Sequence, residues 1–346
     1  MSQLVPAGGI TLPKISVTRA QLLPFSIVGA ALFIAVIVVI LGRVRNEAPE
    51  LPPNALWVGE DWTQNAHSQE EIAIFVRNLR ERRIGTVYAW MSWLQADLTW
   101  NNADRFGSVR AFVTQVRALY PELQLLAWIA VPVDAGQGYR IDSPDVQTQV
   151  AQLSESAVQE FGFNGVFIDV PILSDDDNFL ALLRRARASI GDTDILAAAV
   201  LPDLRPSDES VPASPQIAPG TEWSFAFKQS VILLVDQIAI MAFYSNLTDA
   251  ADYSLWTAYQ IESYVNAIDA LGAPIPTALI IALPTLDADP RGHDPLVENI
   301  ASAAAGIRLG QERVGELARY VRGAGIYAEY TTDEAEWAQF ASVWLR

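Results

Sequence analysis

The sequence predicts an α/β protein, a (β/α)8 TIM barrel preceded by one transmembrane helix. Eight short apolar runs follow residue 54, and most of them are followed by a segment whose apolar residues have helical spacing. Continuous apolar strands that alternate with amphipathic helices indicate a parallel sheet covered by helices. Eight such units favour a closed barrel over an open sheet, and no dinucleotide-binding or phosphate-binding glycine loop follows any run.

The first element is an uncharged, almost wholly apolar run at residues 22–42. It is long enough to cross a bilayer as one helix, and it is apolar on every face, unlike a buried soluble helix. A cleaved signal peptide is the alternative, but the run is long for one and no Ala-x-Ala site follows it. Lys14 and Arg19 precede the run and Arg43 and Arg45 follow it, so charge alone does not set its orientation.

We divide the chain into a tail at 1–21, the transmembrane helix at 22–42, a Pro-rich linker at 43–54 and the barrel at 55–346. The linker holds NEAPELPPN, a composition that is extended and fairly stiff and keeps a domain away from a membrane. The remaining length fits one barrel. The sequence therefore predicts a single-pass membrane protein. Its barrel is expected outside the cytoplasm because of the function that its site residues favour.

The predicted strands begin near residues 55, 85, 124, 165, 194, 237, 276 and 323. Segments such as SQEEIAIFVRNLRERR and VQTQVAQLSESAVQEF lie between them and have the spacing of amphipathic helices. Two connections, around 203–222 and 285–295, are longer than usual. They are either walls of a site or tolerated surface insertions.

Charge and residue usage exclude several classes of function. The net charge is −17 although the first 45 residues are basic, so the barrel is strongly acidic and a nucleic-acid partner is not predicted. There is no cysteine, and His67 and His293 lie far apart, so neither a thiolate nucleophile nor a zinc site is indicated. We expect no metal and no cofactor, and we interpret the acidic run Asp175–Asp177 as a helix cap.

Carboxylates and aromatic residues collect at the predicted carboxyl ends of the strands, where barrels of this kind carry their chemistry. The set is Glu60, Asp61, Trp62, Trp90, Trp93, Trp128, Asp169, Asp203, Tyr244, Glu329 and Tyr330. Tryptophan and tyrosine rings stack on the apolar faces of sugars, while carboxylates bind hydroxyl groups or perform acid–base work. Any one tryptophan is more often a core residue, but the whole set favours a cleft for carbohydrate.

Two groups of candidate site residues follow from this set. The catalytic candidates are Asp169, Glu329 and Glu60. The substrate-binding candidates are Trp90, Trp93, Trp128, Tyr244 and Asp61. Strand alternation lets only one of Glu329 and Tyr330 point into the barrel. We choose Glu329, because a carboxylate that faced the packed helices would be costly to bury.

The stretch from Asn164 to Pro171 resembles the fourth strand of the family-18 glycoside hydrolases, the chitinase-like (β/α)8 enzymes. That strand carries Asp-Gly-x-Asp-x-Asp-x-Glu. Gly165 and Asp169 match it, whereas Pro171 stands in the place of the terminal glutamate. In the family, this glutamate protonates the leaving oxygen and the acid that matches Asp169 steadies the intermediate. Proline cannot donate a proton, so the resemblance implies that ordinary chitinase chemistry is absent.

Two further stretches are similar to the same family. VDQIAIMAFYS resembles its sixth-strand Met-x-Tyr-Asp, with Met241 matching, Phe243 in place of tyrosine and Tyr244 in place of aspartate. GAGIYAEYTTDEAEW resembles the last strand and the acidic turn after it. Three functions stay open: a glycoside hydrolase with a rearranged acid pair, a catalytically inactive glycan-binding barrel, and a structural or partner-binding cell-surface domain.

Overall fold

The computed structural model describes residues 51–132, 140–203, 210–213, 221–290 and 292–346. From Leu51 to Arg346 the chain forms one folding unit. The predicted transmembrane helix at 22–42 and the linker up to residue 50 lie outside the described residues. Within the described ranges, no helix combines the length and the apolar composition that a membrane crossing requires.

Eight parallel strands close into a barrel in chain order, which confirms the predicted barrel. The strands are β1 (Asn54–Val58), β2 (Ile84–Trp93), β3 (Gln124–Ala130), β4 (Gly165–Asp169), β5 (Ile195–Val200), β6 (Gln237–Ile240), β7 (Ala278–Pro284) and β8 (Val321–Tyr327). The barrel closes where Ala55 of β1 pairs with Gly325 of β8. Each strand coincides with a predicted run because a parallel strand, covered on both faces, is apolar throughout.

Helices follow the strands and, apart from the short first one, cover the outside of the barrel. They are α1 (Glu60–Thr63), α2 (Gln69–Glu81), α3 (Phe106–Leu119), α4 (Pro144–Gln159), α5 (Asp177–Ile190), α6 (Phe225–Ile232), α7 (Ala250–Asp269), α8 (Ile300–Val314) and α9 (Glu334–Val343). Ser68 and Glu71 form a capping box at the start of α2. The side chain of Asp176 accepts a hydrogen bond from the Asn178 amide at 2.8 Å, so the acidic run caps α5 as interpreted.

The inside of the barrel is filled unevenly. Large rings come from the first four strands, namely Trp57, Tyr88, Trp128 and Phe167, whereas β5 to β8 contribute mainly alanine and glycine. The Trp57 and Tyr88 rings lie 4.6 Å apart, and the Tyr88 and Phe167 rings stack at 4.3 Å. A Cβ atom on Gly325 would lie 2.5 Å from the Trp57 ring. The small residues therefore make room for aromatic rings that reach across the barrel.

The sixth strand is shorter than predicted. The predicted run continued through MAFYS, but β6 ends at Ile240. The Ala242 amide donates to the Ile240 carbonyl and the Phe243 amide to the Met241 carbonyl, so the chain turns tightly there. Tyr244 then adopts a left-handed backbone conformation with φ of 61°. This turn carries the aromatic residues Phe243 and Tyr244 to the rim of the barrel.

Candidate functional site

Asp169 is the last residue of β4 and lies at the mouth formed by the carboxyl ends of the strands. Trp128 of β3 points to the same side, and its Nε1 donates a hydrogen bond to Asp169 Oδ2 at 2.9 Å. Burial raises the pKa of the Asp169 carboxyl, and the hydrogen bond from Trp128 partly opposes this. The mouth therefore holds a desolvated acid beside an indole ring.

Tyrosines surround the space above Asp169. Tyr327 ends β8, and its hydroxyl is hydrogen-bonded to the Tyr330 hydroxyl. The pKa of the Tyr327 phenol is well above its ordinary value, mainly because of burial, with smaller contributions from Tyr330 and Asp169. Phe243 stacks on Tyr327 with ring centroids 5.0 Å apart. Apart from the carboxylate, this part of the mouth is aromatic.

A cavity of about 370 Å³ opens beside these residues. Its lining consists of Gly59, Glu60, Asp61, Trp90, Trp128 and Tyr330. The Trp90 and Trp128 rings meet edge to face with centroids 4.7 Å apart, which gives the cavity a rigid two-ring wall. Its volume lies in the range of small-molecule sites, and it combines apolar walls with a few polar groups, as such sites do.

Of the predicted site residues, the cavity brings together Glu60, Asp61, Trp90 and Trp128, with Asp169 hydrogen-bonded to the last of these. Trp93 is half-buried at the end of β2 and is not part of the lining, because the strand is irregular between Trp90 and Ser92. Glu60 and Asp61 belong to the first turn of α1, and both are exposed.

Glu329 and Tyr330 are placed by a turn and not by strand alternation. β8 ends at Tyr327, and Glu329 begins a 3₁₀ turn, so the alternation argument does not apply to either residue. Glu329 Oε1 accepts a hydrogen bond from Trp62 Nε1 at 3.0 Å. Burial raises the pKa of Glu329, against the opposing effects of Trp62 and Arg82. Tyr330, which is 52% exposed, lines the cavity.

Tyr244 lies at the opposite side of the mouth and is anchored by a buried ion pair that the sequence did not reveal. Its amide donates to Glu298 Oε2 at 2.9 Å, and the same carboxylate accepts from the Ser245 amide and hydroxyl. His293 Nδ1 lies 2.6 Å from Glu298 Oε2, and His293 Nε2 lies 3.0 Å from the Leu286 carbonyl oxygen. Both ring nitrogens of His293 therefore lie within hydrogen-bond distance of an oxygen atom.

The ion pair of His293 and Glu298 joins the loops that follow β6 and β7. Both side chains are fully buried. In the sequence His293 is a lone histidine in a long loop, and nothing in its spacing singles out Glu298 as its partner. The sequence also did not identify Tyr327 and Phe243 as site residues. The signal that points to them is their place at the ends of runs already predicted as strands.

Asp203, a further strand-end acid, is buried away from this cavity. Its Oδ2 lies 2.5 Å from Lys228 Nζ and accepts a hydrogen bond from Ser263 Oγ at 2.7 Å. Both charged side chains are less than 10% exposed. This is a structural ion pair between the end of β5 and helices α6 and α7. Within the described ranges, no group of three or more histidine and acidic side chains could hold a metal ion.

The closed barrel of eight parallel strands is a (β/α)8 barrel, and known structures share this fold. A plant class V chitinase mutant from Cycas revoluta in complex with (GlcNAc)3 has a TM-score of 0.55 and 16% identity, covering 84% of this chain and 98% of that one. A chitinase from Chromobacterium violaceum has a TM-score of 0.52 and 14% identity, covering 85% and 99%. No family model and no curated protein matches the sequence. The chain thus has the fold of the family-18 chitinases.

The raised pKa of Asp169 predicts that Asp169→Asn stabilises the protein near neutral pH. A carboxyl whose pKa is higher in the folded state lowers stability as pH rises through that pKa, and an amide avoids this while its oxygen still accepts from Trp128. We expect a higher Tm than wild type at about pH 7 and no difference at about pH 3, where the carboxyl is protonated in both states. Thermal unfolding followed by circular dichroism measures this. A lower Tm at neutral pH contradicts it.

Proposed function

We propose that this chain is a membrane-anchored, glycoside-hydrolase-like barrel whose mouth binds cell-surface or extracellular polysaccharide. The observation that carries the proposal is the cavity walled by Trp90, Trp128 and Tyr330, with Glu60 and Asp61 at its edge. Flat aromatic walls suit the apolar faces of sugar rings, and the carboxylates suit hydroxyl groups. Similar barrels are recorded in complexes with (GlcNAc)3 and (GlcNAc)4, which supports an oligosaccharide as the ligand here.

Binding is favoured over chitinase chemistry. In the family pattern the proton donor stands two residues after the acid that matches Asp169, and this chain has Pro171 there. General acid help is typically worth about 10²–10⁴ in rate, so its loss removes most turnover by that route. We expect no release of reducing ends from chitin oligomers. Robust cleavage that survives Asp169→Asn would show that the motif has been misplaced.

Hydrolysis by a rearranged acid pair is the second candidate. The observation in its favour is the raised pKa of Asp169, because raising the pKa of a carboxyl makes it better suited to act as a general acid. Glu60 at the cavity edge is the candidate partner carboxylate, whereas Glu329 is held by Trp62. Cleavage of a glycan other than chitin that is lost in both Asp169→Asn and Glu60→Gln would support this candidate.

A binding experiment on the full chain in a mild detergent tests the carbohydrate site. Oligosaccharides from a glycan array are titrated into wild type, Trp90→Ala and Tyr330→Ala. We expect each substitution to lower the affinity at least about tenfold, because aromatic residues in desolvated pockets carry most binding energy. The control is Trp337→Ala. Trp337 is a half-buried residue of α9 whose ring packs under Arg82, and its loss should leave the affinity unchanged. Equal affinities for all four proteins would contradict the proposal.

The membrane part of the proposal rests on residues 22–42 and has its own test. The full chain should sediment with membranes and resist an alkaline carbonate wash, because one uncharged helix of this length inserts stably. A chain that lacks residues 1–45 should stay in the supernatant, since the barrel begins at Leu51. Release of the full chain by carbonate would contradict the predicted anchor.

A further inference from the structure

We propose that the ligand of the mouth is a cationic glycan, a polymer of amino sugars whose amines are free, and not a neutral N-acetylated one. This inference rests on the proposed function and names the chemical class of its ligand. Three features of the mouth support it. They are the lining of the cavity, the lack of counter-charges beside that lining among the described residues, and the charge of the surrounding rim.

The cavity lining suits a protonated amine better than a neutral sugar. Trp90, Trp128 and Tyr330 supply aromatic walls, while Glu60 and Asp61 supply carboxylates at the same opening. An ammonium group is attracted to the face of an aromatic ring and also to a carboxylate. The cavity therefore offers it both a cation–π contact and an ion pair. An N-acetyl group carries no positive charge, so it leaves both carboxylates without a counter-charge.

Neither carboxylate at the cavity edge is neutralised by the protein. No arginine, lysine or histidine of the described ranges lies in ion-pair distance of the Glu60 or Asp61 side chain. Deeper in the mouth, Asp169 accepts a hydrogen bond from the neutral Trp128 indole. The negative charge of the two carboxylates at the cavity edge is therefore available to a ligand.

The rim of the mouth has the same sign. In the described parts of the loops that follow strands, the lysine and arginine residues are Arg105 and Arg140 alone. Each has an aspartate beside it, with Arg105 3.7 Å from Asp104 and Arg140 3.1 Å from Asp142. Exposed acids stand on the same side of the barrel, among them Asp175, Asp249, Asp287, Asp294 and Asp333. A cleft lined by one sign of charge concentrates ligands of the opposite sign and repels polyanions.

The test compares a glucosamine oligomer with its fully N-acetylated form at equal length. Each oligomer is titrated into the full chain in detergent at about pH 6. At this pH more sugar amines are protonated than at neutral pH. We expect the free-amine oligomer to bind at least about tenfold tighter. Its advantage should shrink between low salt and about 0.15 M salt, where the screening length falls to about 8 Å. The affinity for the N-acetylated form should not depend on salt.

Two charge-removing variants locate the effect. Glu60→Gln and Asp61→Asn keep the shape of the cavity, and each should weaken binding of the glucosamine oligomer several-fold more than binding of the N-acetylated one. Glu81→Gln is the matched control, because it removes one charge from a side chain that is 66% exposed at the last turn of α2, outside the cavity lining. It should leave both affinities unchanged.

The outcomes separate this inference from the proposed function. Equal or tighter binding of the N-acetylated oligomer, with no response to Glu60→Gln or Asp61→Asn, overturns the cationic ligand and leaves the carbohydrate site standing. If neither oligomer binds and no glycan on the array binds, the carbohydrate site itself is overturned. If both substituted proteins still prefer the free-amine oligomer, the inference is also overturned, because the preference then comes from charges elsewhere.

Discussion

Replacing Gly165 with alanine should prevent the barrel from closing, with a loss of more than about 4 kcal/mol, beyond the usual range for single substitutions. Gly165 begins β4 with φ of 157° and pairs with Ile195 of β5. A Cβ atom at this position would lie 1.9 Å from the Ile195 carbonyl oxygen, so the two strands could not keep their spacing. Urea unfolding and near-ultraviolet circular dichroism measure the effect.

Two other glycines provide a graded control for this substitution. Gly191 after α5 has φ of 83° and ψ of −178° with open space around it, so Gly191→Ala meets only backbone strain and should cost about 1–3 kcal/mol. Gly107 lies in α3 with open space, and Gly107→Ala should stabilise the helix by about 0.5–1 kcal/mol. If Gly165→Ala costs no more than Gly191→Ala, the backbone clash is not decisive.

Replacing Glu298 with alanine should lower the free energy of unfolding by about 3–5 kcal/mol, because it breaks a buried pair and leaves the His293 side chain without its partner. It also removes the acceptor of the Tyr244 and Ser245 amides, so the loops that follow β6 and β7 lose their common anchor. Urea unfolding of the full chain measures the loss. Because Tyr244 lies at the mouth, glycan affinity should fall as well.

The matched control for Glu298→Ala is Glu312→Ala. Glu312 is an exposed glutamate on α8, and its removal should change stability by less than about 0.5 kcal/mol. The double variant Glu298→Ala with His293→Ala should lose less than the sum of the two single variants, since the two side chains interact directly. Additive losses would show that the pair does not act as a unit.

Most of the fold could be predicted from the sequence because a strand covered on both faces has to be apolar along its whole length. The runs around Val166 and Ile280 are such strands. The ends of strands were less predictable. β6 stops at Ile240 although MAFYS continues the apolar pattern, because local turns compete with the strand there. The hydrophobic pattern indicates which side chains are buried, but it does not indicate where the chain bends.

The candidate site could be predicted where strand geometry alone places a side chain. Trp90, Trp128 and Asp169 lie on strands whose register brings them to one mouth. Glu329 and Tyr330 lie beyond the end of β8, where a turn decides which of them faces the cavity. The His293–Glu298 pair could not be predicted, because its stability depends on desolvation and on amides donated by another loop. Such an anchor exists only in the folded chain.

The contact between Gly59 and Tyr330 has a consequence for how this cavity can change over evolutionary time. A Cβ atom on Gly59 would lie 2.6 Å from Cδ1 of the Tyr330 ring. Any larger residue at position 59 displaces the ring, whereas position 330 can change while Gly59 stays. The order of substitutions therefore matters: a larger residue at position 59 fits more easily once the ring at position 330 has been replaced by a smaller side chain.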